Sequence, residues 1–165
     1  MFYKTQSYLQ FLWKSTNEHG VHSPFVFNYV TQCIYGKKQF STPKTLNVLL
    51  KSIEYFKSKK IHVPNSDSKI QVKSAFPETA FDSTIFDVFY VYQMDKASFK
   101  KILSDGRLHN DSMVLVDGIH ETPEAWQAWK DLIEMPEITV SIDMFYCGTI
   151  FIRREQVKEH FTIRI

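Results

Sequence analysis

Glycine is scarce in this chain: only 5 of 165 residues, at positions 20, 36, 106, 118 and 148. No two stand close enough to form GxGxxG, a P-loop or any other glycine-rich phosphate loop. A nucleotide therefore cannot be cradled on bare backbone in the usual way. Cysteine is scarcer still. Cys33 and Cys147 make no CxxC pair and are too few for a disulfide scaffold. An excess of one charge is also missing, because 20 Lys and Arg stand interspersed with 18 Asp and Glu for a net charge of +2. That balance calls for neither nucleic acid nor an anionic membrane as partner. Apolar runs such as Ile85–Val91 fall far short of the roughly 20 residues a spanning helix needs. Met1–Lys14 lacks the sustained apolar stretch and small-residue cleavage site of a signal peptide. These absences predict a cytoplasmic protein, and the length predicts a single domain able to bury about 70% of its unfolded surface.

Aromatic residues are plentiful: 14 Phe, 8 Tyr and 3 Trp imply an aromatic core or interface. The first third reads as helical. An apolar band of Tyr8, Leu9, Phe11, Leu12 and Trp13 predicts a helix from about Phe2 to Ser15, ended at Asn17–Gly20 with Gly20 in a positive-φ cap. Ser23-Pro24 reads as an N-cap with proline at the first helical position. The helix it starts carries Phe25, Val26, Tyr29, Val30, Cys33 and Ile34 inward. Thr42-Pro43 predicts a third start, with Leu46, Leu49, Leu50, Ile53 and Phe56 on one face. After Lys59 the pattern changes. Ile61–Val63 and Ile70–Val72 read as short strands, with Pro64–Lys69 as a loop between them. Ile85–Val91 and Ser112–Val116 read as strands buried on both faces. Asp95–Ser104 and the segment from Thr122-Pro123 through Ile133 read as helices. Ile138–Ile142 and Thr149–Ile152 are spaced as a hairpin. The tail from Glu155 gives a helical turn and a final extended segment. Strand–helix alternation predicts an α/β fold with parallel strands at 85–116 and a sheet made mixed at one edge by the hairpin.

Several of these residues carry a resemblance. Ser112–Val116, Asp117-Gly118-Ile119-His120, the Trp126/Trp129 helix, Val140–Phe145 and Ile152–Gln156 together resemble class I S-adenosylmethionine-dependent methyltransferases. The likeness is narrower to a bacterial O-methyltransferase-like subgroup, and Tyr8–Lys14 with Ser15–Phe25 is similar to that subgroup's helical lead-in. The resemblance implies a shortened Rossmann-like sheet over 59–165 behind a helical extension at 1–58. In that family the first strand runs into an acidic-x-Gly-x-x-x-Gly loop that lets the cofactor approach the backbone. Here the corresponding Ile61–Lys69 has no glycine, no carboxylate at the strand end and a proline in the turn. The second strand, whose terminal acid would hold the ribose, is not found, and the strand at 85–91 continues into Tyr92-Gln93-Met94-Asp95. The expectation is thus a degenerate pseudo-methyltransferase without cofactor, non-catalytic and acting through binding or self-association. A homodimer or protein partner would use the aromatic N-terminal helices. The alternative is an active S-adenosylmethionine-dependent O-methyltransferase on a small hydroxylated substrate, with an unusual loop at Pro64–Lys69.

Asp117 and His120 are the candidate catalytic pair, because open α/β sheets place ligands at the carboxyl ends of their strands. Asp117 could orient His120 as a general base or bind a divalent ion. The resemblance to metal-dependent O-methyltransferases implies a second, adjacent acidic or amide ligand, and Gly118 stands at that position. The plainer alternative is a capped turn with a locally bonded imidazole. His19 and His22 bracket Gly20-Val21 at a permissive metal spacing, but without further ligands they read as turn residues. Cys33 reads as a core filler and Cys147 as a turn residue, neither beside a patterned base. Trp126 and Trp129 read as sheet packing. The basic runs Lys57–Lys60 and Arg153-Arg154 read as solvated element ends.

Overall fold

The computed structural model describes residues 2–40 and 43–165. It is a mixed α/β fold built on a six-stranded sheet in the order β1-β2-β3-β5-β4-β6. The strands are β1 (Ile61–His62), β2 (Phe86–Tyr92), β3 (Leu108–Asp117), β4 (Val140–Asp143), β5 (Cys147–Phe151) and β6 (Glu159–Thr162). β1, β2 and β3 run parallel, as the sequence pattern requires. β5 enters antiparallel between β3 and β4, and β6 runs parallel to β4. The expected hairpin is therefore present, and it lies inside the sheet, because the tail adds an edge strand beyond it.

Both sheet faces are covered. Along β3, Met113 and Leu115 face one cluster while Val114 and Val116 face the other, and all four are buried. The first cluster lies under α2 (Pro24–Asn28) and α3 (Lys44–Phe56), the second under α5 (Lys96–Ser104) and α6 (Pro123–Ile133). This two-sided burial explains why β2 and β3 read as continuous apolar runs. Helix starts follow their caps. The Ser23, Asp95 and Thr122 side chains accept from the backbone N–H groups of Val26, Ser98 and Ala125, with Pro24 and Pro123 in the first turns. α2 passes directly into a π-helical stretch, Tyr29–Ile34, that buries Tyr29, Val30, Cys33 and Ile34.

Three expectations need correction. Ile70–Val72 is not a strand and most of Pro64–Lys69 is not loop, because Ser66–Ala75 forms α4. Asn65 caps it by accepting from Ser68 N–H, and Ser68 and Val72 turn inward one helical step apart while Ile70 is exposed. Gly20 closes no helix in a left-handed conformation. It ends a 3₁₀ turn, Glu18–Gly20, where an added Cβ would stand 2.9 Å from Thr16 Cβ, and the left-handed glycines are Gly106 and Gly118. Cys147 lies in β5, fully buried, not in a turn. The third helix start holds, with Pro43 at the cap position of α3, while Thr42 lies outside the described residues.

α1 (Phe2–Lys14) matches its expected span and packs at the end of the sheet rather than on either face. Its Ser7 and Phe11 are buried, and Tyr8 and Phe11 meet the Phe145 ring at 4.8 and 5.4 Å. Among the described residues, no helix is long and apolar enough to cross a membrane.

Candidate functional site

Parallel pairing sends the carboxyl ends of β1, β2 and β3 to one side of the sheet, and a cleft of about 710 Å³ opens there. Its walls come from the N-terminal ends of α3 (Lys44, Thr45) and α4 (Asp67, Ser68), from Tyr90 on β2 and from Asp117 at the end of β3. Lys4 of α1 and Phe145 and Tyr146 of the β4–β5 turn complete it. Open α/β sheets place ligands in this position, outside the strand ends where connections part to opposite faces.

Asp117 is the cleft's organising group. Its Oδ1 accepts from the Thr45 hydroxyl at 2.7 Å and from Gly118 N–H at 3.0 Å, while Oδ2 accepts from the Tyr90 hydroxyl at 3.2 Å. Burial, and next the adjacent Asp117 carboxylate, push the Tyr90 hydroxyl far above its ordinary range, so it remains a donor. The left-handed backbone at Gly118 (φ 70°) turns the chain directly behind this carboxylate. Lys4 and Lys44 share the lining with Asp67, Asp117 and Glu121, so both signs of charge are present, with one more carboxylate than cations.

His120 borders the same cleft, but no hydrogen bond joins it to Asp117. Its Nδ1 lies 2.7 Å from the Ser7 hydroxyl and its Nε2 lies 2.9 Å from Asp143 Oδ2. All three side chains are buried. Trp126 stacks on one side of the imidazole at 4.1 Å and Phe145 at 4.9 Å, each tilted by about 20°. The other oxygen of Asp143 accepts from Phe145 N–H at 2.8 Å, which fixes the carboxylate. The residues the sequence paired thus serve separate networks. Thr45 and Tyr90 complete the one, Ser7 and Asp143 the other. Ser7 and His120 stand 113 positions apart, so no local spacing could have signalled their contact.

The remaining candidates resolve simply. His19 lies 3.7 Å from Glu18, and no cluster of three or more metal-ligating residues exists among the described residues. Burial raises the Cys33 thiol to about 12 and lifts that of Cys147 further, so both are inert core groups. Trp129 packs over Gly148, while Trp126 is given to His120. Arg153 is held by Asp111 and Glu155 and lies 4.7 Å over the Phe25 ring, not free for phosphate.

The glycine loop that the resemblance implies for S-adenosylmethionine is not present beside this cleft. The passage from β1 to α4 is Val63-Pro64-Asn65, with side chains where the glycines would stand and no N–H at Pro64. Outside β1 only the single bridge Lys60–Ala80 is present among the described residues, and nothing from 79–82 lines the cleft. No family model, curated protein or solved structure matches this chain.

Proposed function

We propose that this protein is a binding protein for a polar small molecule, on a scaffold resembling class I methyltransferases from which methyl transfer has been lost. The observation that carries the reading is the open cleft at the strand ends, walled by Asn65, Asp67 and Ser68 in place of a glycine loop. A scaffold that had kept only a structural role would gain stability by filling such a space with apolar side chains. Here the space stays open, and beside Pro43, Leu46 and Phe145 its lining carries Thr45, Tyr90 and Asp117, oriented by one another. The mixed charge of the lining favours a compact molecule with both an amino or hydroxyl group and an anionic group. Tyr90 and Thr45 hold Asp117 ready to accept from such a donor, and Lys4 on the lining supplies positive charge for the anion, while Lys44 donates to the Ile165 oxygen.

The test is a melting-temperature screen of the whole chain against polar metabolites, repeated on Asp117→Asn. A saturable rise of a few degrees that the variant loses is the expected result, since binding to the folded state alone stabilises by mass action. A screen without a saturating compound at millimolar concentration would overturn the reading. A response confined to S-adenosylmethionine, with transfer to a hydroxylated acceptor, would instead support the O-methyltransferase alternative.

A further inference from the structure

We propose that Ser7, His120 and Asp143 form a nucleophilic triad that hydrolyses small carboxylic esters at a second cavity, apart from the cleft of the preceding reading. That cavity, about 320 Å³, is lined by Ser7, His120 and Asp143 together with Gln10, Lys14 and Trp126. It lies between α1 and the carboxyl end of β4. The hydrogen-bond roles are set by elimination. A carboxylate can only accept, so with a single ring proton that proton sits on Nε2 facing Asp143, and the Nδ1 lone pair faces the Ser7 hydroxyl. Ser7 then donates to a base that is itself oriented by a fixed acid, which is the arrangement that activates a serine. The ring nitrogens exchange places relative to the familiar serine hydrolase arrangement, but the roles do not.

Two further features serve the chemistry rather than the packing alone. Trp126 and Phe145 cover opposite faces of the ring, and aromatic faces stabilise the imidazolium that forms when Ser7 gives up its proton. Gln10 and Lys14, one and two turns along α1 from Ser7, line the same cavity and are the N–H-bearing side chains available there to a developing oxyanion. In the reaction the Ser7 oxygen bonds to the acyl carbon as its proton passes to Nδ1. The tetrahedral oxyanion collapses, the ester C–O bond breaks and the leaving alkoxide takes the proton from Nδ1. Water then attacks the acyl-serine, its proton passing through Nδ1 to the Ser7 oxygen, and an acid and an alcohol are released with no redox change.

The experiment combines intact-mass detection of a fluorophosphonate adduct on the full chain, peptide mapping of the adduct, and hydrolysis of p-nitrophenyl acetate. Asp143→Asn is the decisive variant. Its amide keeps an oxygen for Phe145 N–H but would donate to Nε2, placing the ring proton on Nδ1 and removing the base. Expected are a single adduct on Ser7, its absence in Ser7→Ala, and a drop of roughly 100-fold or more in labelling and hydrolysis rates in Asp143→Asn. No adduct on Ser7 of the wild-type chain would overturn the proposal. So would labelling or hydrolysis that proceeds equally in Asp143→Asn, and this arm holds even where Ser7→Ala fails to fold.

Discussion

A Cβ added at Gly148 would stand 2.3 Å from Cη2 of Trp129 and within 2.7 Å of two more indole carbons. The backbone of β5 and the buried indole of α6 therefore touch with no room between them. Gly148→Ala forces the largest fully buried side chain of the second core cluster off its site. Overpacking of this kind costs about 3 kcal/mol, and urea unfolding of the variant is expected to show that loss. Combining it with Trp129→Phe should recover part of the difference, because the clash is shared by one pair. Equal losses with and without Trp129 would show that the close approach is not what selects glycine.

At the level of elements, the edge strand β1 is only two residues long, and beside its parallel pairing with β2 the approach to it is held by Asp87. The β2 register shifts between Phe86 and Val88, which places Phe86 and Phe89 in one core cluster and leaves Asp87 at the irregular position. There Asp87 Oδ2 accepts from the N–H groups of Lys59 and Lys60 at 2.8 and 2.9 Å, and Oδ1 meets His109. Burial acts to raise the carboxyl, but the two backbone donors and His109 outweigh it and hold Asp87 below the ordinary carboxylate range. A depressed carboxyl stabilises the fold above its unfolded value, and the contribution disappears as pH falls through the lowered one. Asp87→Ala is expected to cost about 1–3 kcal/mol at neutral pH, with the difference from wild type closing on acidification to about pH 2. A difference independent of pH would contradict the assignment.

Elements also show what the chain order discloses. Ser23-Pro24, Asp95 and Thr122-Pro123 announce helices by local chemistry, and the structure honours all three. β2 and β3 announce themselves by burial on both faces. α4 hides, because Ile70–Val72 carries the β-branched residues of a strand while the deciding signal is the Asn65 cap and one inward step from Ser68 to Val72. Gly20 misleads in another way, since a helix-ending glycine can be selected for a side-chain clash rather than for a left-handed φ. The site is less legible than the fold. Asp117 and His120 can be singled out from their place after a buried strand, but their partners Thr45, Tyr90, Ser7 and Asp143 come from α3, β2, α1 and β4. Only the closing of the sheet brings them together.

On the scale of the whole molecule, the parallel half of the sheet builds the cleft, and the antiparallel insertion with α1 builds the Ser7–His120–Asp143 network beside it. His120 borders both cavities, so its two stacked rings and two hydrogen bonds form the wall between them. Under the proposed reading, an opening ringed by side chains rather than bare glycine backbone takes a guest other than S-adenosylmethionine. Calorimetric titration of the full chain with S-adenosylhomocysteine asks this most directly. No saturable heat is expected up to millimolar ligand, whereas a micromolar Kd abolished by Asp117→Asn would contradict the proposed loss of cofactor binding.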